Sequence, residues 1–310
     1  MIAARGTQGV SFRVVVAAAL FAALSVVVPA AHADHVGKVV QLKLAGPTRR
    51  FVLEAKLGQG WWSEVYRARA LDGGPPVAVK ILRDDRRREG HSDAQLFGRE
   101  QYLARATDPT LLRVDGMGDV EGSGSGRKAL VMQLASGRPL VANWWDHASP
   151  RQPVQAVQII MQVLRAARAL HRTGVRHNDI QPANVLLTND RPETVKLVDL
   201  GAASLIQDQF HSAPSWYIAP EQSGNGDTRN QVRSDVYSVG AVLDFLLTGP
   251  QPKTASLPQV SANVGGQTVW LHDVVKKAMA PDPKDRYESA QAMLDALRPF
   301  AGPALASPTP

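Results

Sequence analysis

An α+β fold of two unequal lobes is what this sequence predicts, with a small strand-rich lobe first and a larger helical lobe after it. Two observations carry that expectation. Short runs that alternate or cluster β-branched residues between turn signals fill the chain from Phe51 to Leu134. From about residue 137 onward the apolar spacing becomes helical, most clearly in "PVQAVQIIMQVLRAARALHRTG". Between residues 50 and 300 there is no long low-complexity linker and no internal repeat. The two patterns therefore belong to one domain, two packed layers with a cleft between them.

The elements follow in order. Residues 14–31, "VVVAAALFAALSVVVPAA", form an uncharged apolar run preceded by Arg5 and Arg13 and followed by "AHA" before Asp34. A charged start, an apolar middle and small residues two apart make the layout of a secretory signal. The run is also near the minimum length of a membrane span. Lys38, Lys43, Arg49 and Arg50 follow it, which suits an anchor with its C-terminal side in the cytoplasm. A start codon placed too early is a third reading. Residues 1–33 are thus a signal peptide or membrane anchor, and 34–49 a lead-in segment. Strands are expected over 51–58, 64–70 and 76–83. In "SDAQLFGREQYLARAT", Leu96, Glu100, Leu103 and Ala104 share one helix face. "EGSGSGRK", 121–128, turns the chain into a strand over 129–134. Then Val157, Ile160, Met161, Val163, Leu164, Ala167 and Leu170 make a broad apolar helix face, which Gly174 terminates. The Pro- and Ala-rich tail, 301–310, is expected to be disordered.

Composition narrows the chemistry. There are no cysteines, which excludes disulfides and thiolate metal sites. The net charge of +7 invites a nucleic-acid reading. No aromatic-interleaved basic stripe supports one, so an ordinary basic surface and no nucleic-acid partner are expected.

Several motifs carry chemistry. "LGQGWWSEVYRA" places Gly58 and Gly60 in a turn between two strands, where backbone amides can come close to phosphate oxygens. Alone, it would be an ordinary hairpin. "VAVK" ends an apolar strand on Lys80, and Glu100 lies on the amphipathic segment that follows. "HNDIQPANVLL" carries Asp179 and Asn184, and "VKLVDLGAAS" carries Asp199. Carboxylate and amide oxygens of this kind suit a hard cation lying between polyphosphate oxygens. "SWYIAPEQ", "SDVYSVGAVLDFLLTG" and "DPKDRY" complete the series.

In this order, over about residues 50–300, the motifs resemble those of bacterial eukaryotic-type (Hanks-type) serine/threonine protein kinases. The resemblance implies a bilobal protein-kinase-like fold, with an N-lobe over about 50–133 and a C-lobe over about 137–300. It implies ATP and magnesium ion, Mg2+, as cofactors and a Ser/Thr hydroxyl of a protein as acceptor. Lys80 would hold the α- and β-phosphates and pair with Glu100. Asp179 would take the hydroxyl proton, and Asn184 and Asp199 would hold the metal. The adenine would lie against Leu57, Val65, Ala78 and Leu186, with Met132 as gatekeeper, Leu134 in a hinge over 133–135, and Gly58 and Gly60 over the phosphates. Asp235 would brace the catalytic loop, and Arg286 would pair with Glu221.

The sequence also departs from the family. Ser63 replaces a third glycine, Leu200 replaces a phenylalanine, and Trp61 and Trp62 add apolar bulk at the loop tip. Asn178 replaces an arginine that meets a phosphorylated activation segment, which implies activity without that switch. Pro214 stands near a position that usually carries threonine. Gln181, grouped with the catalytic residues, replaces a lysine that neutralises charge on the transferred group. A neutral donor there is expected to cost on the order of 2–4 kcal/mol of transition-state stabilisation. Two alternatives stay open: a nucleotide-binding pseudokinase acting as an interaction module, and a small-molecule kinase of related fold. Ala219-Pro220-Glu221 and the late Arg286 favour a protein substrate. Access to ATP favours a kinase domain exposed to the cytoplasm, tethered to the inner membrane through 14–31; export is the other reading.

Overall fold

The computed structural model describes residues 35–42, 48–59, 63–83, 93, 97–98, 100, 108–121, 127–142, 151–188, 194–200, 215–223, 232–249 and 257–302. The apolar run 14–31, most of the helix expected over 92–107, and all but two residues of the expected tail lie outside them.

The first lobe is a closed barrel of six strands: β1 (Val39–Leu42), β2 (Arg49–Gln59), β3 (Ser63–Ala70), β4 (Val77–Leu82), β5 (Val114–Val120) and β6 (Lys128–Gln133). Around the barrel the order is β1-β2-β3-β4-β6-β5, antiparallel throughout. β1 departs from the sequence expectation, which assigned residues 34–49 only a lead-in role. Val40 and Leu42 alternate inward, and β1 pairs with β2 on one side and β5 on the other. Gly118 permits this closure. A Cβ there would lie 2.3 Å from the Gln41 carbonyl oxygen, so only glycine lets the two strands approach.

Two-residue alternation then sorts β4. Val79 and Ile81 point into the barrel core with Phe51, Leu53, Tyr66 and Val131. Ala78 and Lys80 fall on the opposite face and turn toward the second lobe. Both faces of β4 are buried, which accounts for its nearly continuous apolar run.

The second lobe is helical around a small sheet. α1 (Pro153–Arg172) starts with proline in its first turn, where a missing N–H costs nothing. It ends before Gly174, whose φ of 79° is readily reached only without a side chain. All seven apolar positions expected on its face are buried. The strand β7 (Arg138–Pro139) pairs with β8 (Val185–Leu187), and β8 with β9 (Val195–Leu197). α2 (Val232–Thr248) is buried almost all round, as an apolar helix in a core must be. An exposed hairpin, β10 (Ser261–Val264) and β11 (Gln267–Trp270), leads into α3 (Leu271–Ala278) and then α4 (Ala290–Leu297). α1 packs on α2 and α4, and one continuous apolar core runs from this lobe up to the cleft face of the barrel.

Candidate active site

Between the lobes lies a cleft of about 680 Å³ of open space, mouth included. Its walls include Leu57, Gly58, Val65, Ala78, Met132, Leu134 and Leu186. These are all the expected nucleotide contacts except Lys80, which sits at the polar end, and Gly60, which lies outside the described residues, as do Trp61 and Trp62. Sequence reasoning missed Leu112, Val114, Leu130 and Val198, which also line the space. Nothing in their local pattern separates a cleft position from a core position.

The polar end is built around Lys80, only 5% exposed. Its Nζ donates to Asp199 Oδ1 at 2.8 Å and to Glu100 Oε1 at 3.4 Å. Burial disfavours the ammonium charge, but Asp199 and then Glu100 outweigh it and hold the Lys80 pKa above its usual value. Burial raises that of Glu100; Lys80 works against this and Asp199 adds to it. Glu100 Oε2 is buried, with no hydrogen-bond partner among the described residues. The ion pair expected from sequence is therefore formed, with Asp199 as its third member. Asp199 adopts a left-handed φ of 60°, rare for a residue with a side chain and found where function fixes the backbone.

Asp179 sits on a loop held from below by Asp235, in the first turn of α2. The Asp235 carboxylate accepts the N–H of His177 at 2.9 Å and of Asn178 at 2.8 Å, and contacts His171 Nε2 at 2.7 Å. Burial opposes its charge, yet the bond to His171 and the neighbouring imidazoles keep its pKa below the usual range. This is the expected brace; the part of His171 was not foreseen. Asn178 takes φ 62°, a conformation asparagine tolerates better than most residues. His177 is buried, and its Nε2 lies 3.1 Å from the Val198 carbonyl, tying the loop to the Asp199 segment.

The Asp179 carboxylate is gripped on both oxygens. Asn184 Nδ2 donates to Oδ2 at 2.9 Å and to the main-chain carbonyl at 2.8 Å. Gln181 Nε2 donates to Oδ1 at 2.8 Å. Burial in the cleft and then the like charge of Asp199 push the Asp179 pKa up to about 7, with Asn184 and Gln181 holding it down. Asp179 is half-buried, so part of its side chain stays accessible.

A second constellation stands below the site. Arg286, 3% exposed, grips both Glu221 oxygens at 2.6 and 2.7 Å, and Ser234 Oγ adds a bond at 2.6 Å. Burial opposes the Glu221 charge, but Arg286 and Ser234 keep its pKa low. The remaining guanidinium donors go to the carbonyls of Ala280, Pro281 and Arg233. The expected pair is thus present. Gln222 adds a link that the motif did not show: its Nε2 donates to the Asn178 carbonyl at 3.2 Å, joining this platform to the catalytic loop. Pro214 lies outside the described residues.

Comparison with known proteins agrees with the fold. Residues 51–298 match the family model described as "Protein kinase domain". The chain is 32% identical over 265 residues to serine/threonine-protein kinase PknB of Mycobacterium tuberculosis, covering 79% of this chain and 42% of that protein. It is 32% identical over 271 residues to PknL of Mycobacterium bovis, covering 79% and 64%. The chain therefore spans less than half the length of the PknB relatives it matches. Among solved structures, the kinase domain of M. tuberculosis PknI superposes with a TM-score of 0.63 at 25% identity, over 84% of this chain and 98% of that one. This chain belongs to the protein kinase family, on the branch of bacterial Hanks-type serine/threonine kinases.

Proposed function

We propose that this domain transfers the γ-phosphoryl group of magnesium-bound ATP to serine or threonine hydroxyls of protein substrates. One observation carries the reading. A carboxylate poised near neutral pKa, Asp179, stands beside the Lys80–Asp199–Glu100 triad at the polar end of an apolar cleft.

The residues fit the groups the reaction requires. The apolar walls around Ala78 and Met132 suit a flat heterocycle, and Lys80 suits phosphate oxygens. Asn184 spends its Nδ2 on Asp179, and among the described residues nothing donates to its Oδ1, which leaves an oxygen donor beside Asp179. Asn184 and the Asp199 carboxylate are the oxygens that would hold magnesium. Among the described residues no cluster of three or more His, Cys, Asp or Glu makes a self-sufficient metal site. A magnesium ion held by these two side chains would take its remaining ligands from substrate phosphates and water. Magnesium, when bound, supplies positive charge against the negative charge developing on the phosphoryl oxygens. Lys80 orients the phosphates, and Glu100 keeps Lys80 in place. Asp179 accepts the proton of the attacking hydroxyl. The buried Asp235 and the Gln222 bond hold the loop, so that Asp179 need not reorganise during the reaction.

The test is transfer of labelled phosphate by the purified protein, alone and with a generic basic protein. Asp179→Ala should abolish transfer while nucleotide binding persists; Lys80→Ala should weaken both. Wild-type protein that binds ATP but transfers no faster than Asp179→Ala would instead be an interaction module. For the setting, we favour residues 14–31 as a tether to the inner membrane with the domain in the ATP-containing cytoplasm. Protection of the domain from protease added outside intact spheroplasts supports this, and digestion overturns it.

A further inference from the structure

Gln181 occupies the position where the sequence comparison led to an expected loss of cationic help for the transferred group. Its contacts show a different task. The residue is 5% exposed, and its backbone is extended at φ −151°, ψ 163°. Its single side-chain hydrogen bond runs from Nε2 to Asp179 Oδ1 at 2.8 Å. Asn184 takes the other carboxylate oxygen at 2.9 Å. One amide on each oxygen fixes the plane of the carboxylate, and each oxygen keeps a further lone pair for a substrate hydroxyl. We propose that Gln181 is a positioning residue, one jaw of a two-amide clamp that orients Asp179 as proton acceptor, and not a substitute charge for the phosphoryl group.

The surrounding charges support this assignment. The charged side chains acting on Asp179 are Asp199 and Lys80. Lys80 is already bonded to Asp199 and Glu100. The His177 ring, a further titratable neighbour among the described residues, is bonded to the Val198 carbonyl through Nε2 and faces the Asp179 N–H through Nδ1 at 3.4 Å. Among the described residues no cation donates to the Asp179 carboxylate, and its orientation there rests on the two neutral amides. Such a clamp sets direction without trapping the carboxylate as a tight ion pair.

The proposal rests on the kinase reading, so its test has one arm that needs no transfer. In the kinetic arm, Gln181→Leu keeps the bulk and removes the donor. It should lower kcat about tenfold or more with the KM for ATP changed less than about twofold, and should move the acidic limb of the pH profile upward. Gln181→Lys should move that limb down by about one pH unit, because a cation beside the carboxylate favours its charged form. An alkaline plateau raised about tenfold or more in that variant would show that the position calls for charge and would overturn the proposal; so would a Leu variant with unchanged kcat and limb. In the second arm, unfolding midpoints of wild type and Gln181→Leu are compared at about pH 5.5 and about pH 8.5. Loss of the donor should raise the folded-state pKa of Asp179, so Leu should destabilise more at the higher pH. An equal loss at both values overturns the clamp. This arm reads the same whether or not the wild type transfers phosphate; absence of transfer alone would count against the kinase reading and not against the clamp.

Discussion

At residue 179 the fold keeps a carboxylate in a place that disfavours its charge. The folded-state pKa of Asp179 is about 7, above its usual value, chiefly through burial and the nearby Asp199. The sign of the consequence follows from proton linkage. A pKa raised on folding contributes stability that is complete below the unfolded value and is lost as pH climbs through the folded value. Asp179 should therefore erode stability progressively as pH rises from its unfolded value of 3.8, with the loss complete above about 7. Replacing it with asparagine removes the charge and mismatches one of the two amide donors. Allowing for the partial exposure of the site, the gain from Asp179→Asn should be roughly 1–2 kcal/mol larger at about pH 8.5 than at about pH 5.5. Chemical denaturation at the two pH values measures it. A gain that is the same at both would mean that the site does not tune this carboxylate. The order of Lys80, Glu100, Asp179, Asn184 and Asp199 was legible in the sequence, because each stands in a short motif with fixed offsets. His171 and Gln222 were not. Each acts through one hydrogen bond to a residue distant in the chain, and no local pattern records such a bond.

At the level of elements, the strands that repeat the two-residue alternation and the long helix α1 could be read directly, to within one or two residues. The four-residue strand β1 could not. "VVQL" is too short to show a period, and its partners β2 and β5 are recognisable only once the sheet has curled. The deciding signal was a glycine on another strand. At Gly118 any side chain would strike the Gln41 carbonyl, so this position measures the value of closure. Gly118→Val should cost about 2–4 kcal/mol, more than its effect on β5 alone, because it expels β1 and exposes Val40 and Leu42. In a protein that already lacks residues 35–42, the same substitution should cost about 1 kcal/mol or less. Urea unfolding of the four proteins forms a double-mutant cycle. Additive losses would show that β1 docks independently of Gly118.

Across the whole molecule, the two lobes meet through a cleft whose walls come from both. The core that begins in α1 and α2 continues to Ala78 and Met132 on the barrel. Nucleotide binding and lobe stability should therefore be linked. The closed barrel adds a consequence for how copies of the chain meet one another. In an open sheet, β2 and β5 would each present a row of unpaired N–H and carbonyl groups, a template on which a second chain can add a strand. By pairing with both at once, β1 removes both rims. Among the described strands of the first lobe none keeps an open edge for a passing strand, which matters for a chain whose N-terminal region is rich in apolar residues. Shortening the protein to begin after residue 42 would bare two rims in one step. Such a protein should self-associate on warming at concentrations where the chain that retains residues 35–42 stays monomeric, as light scattering would reveal.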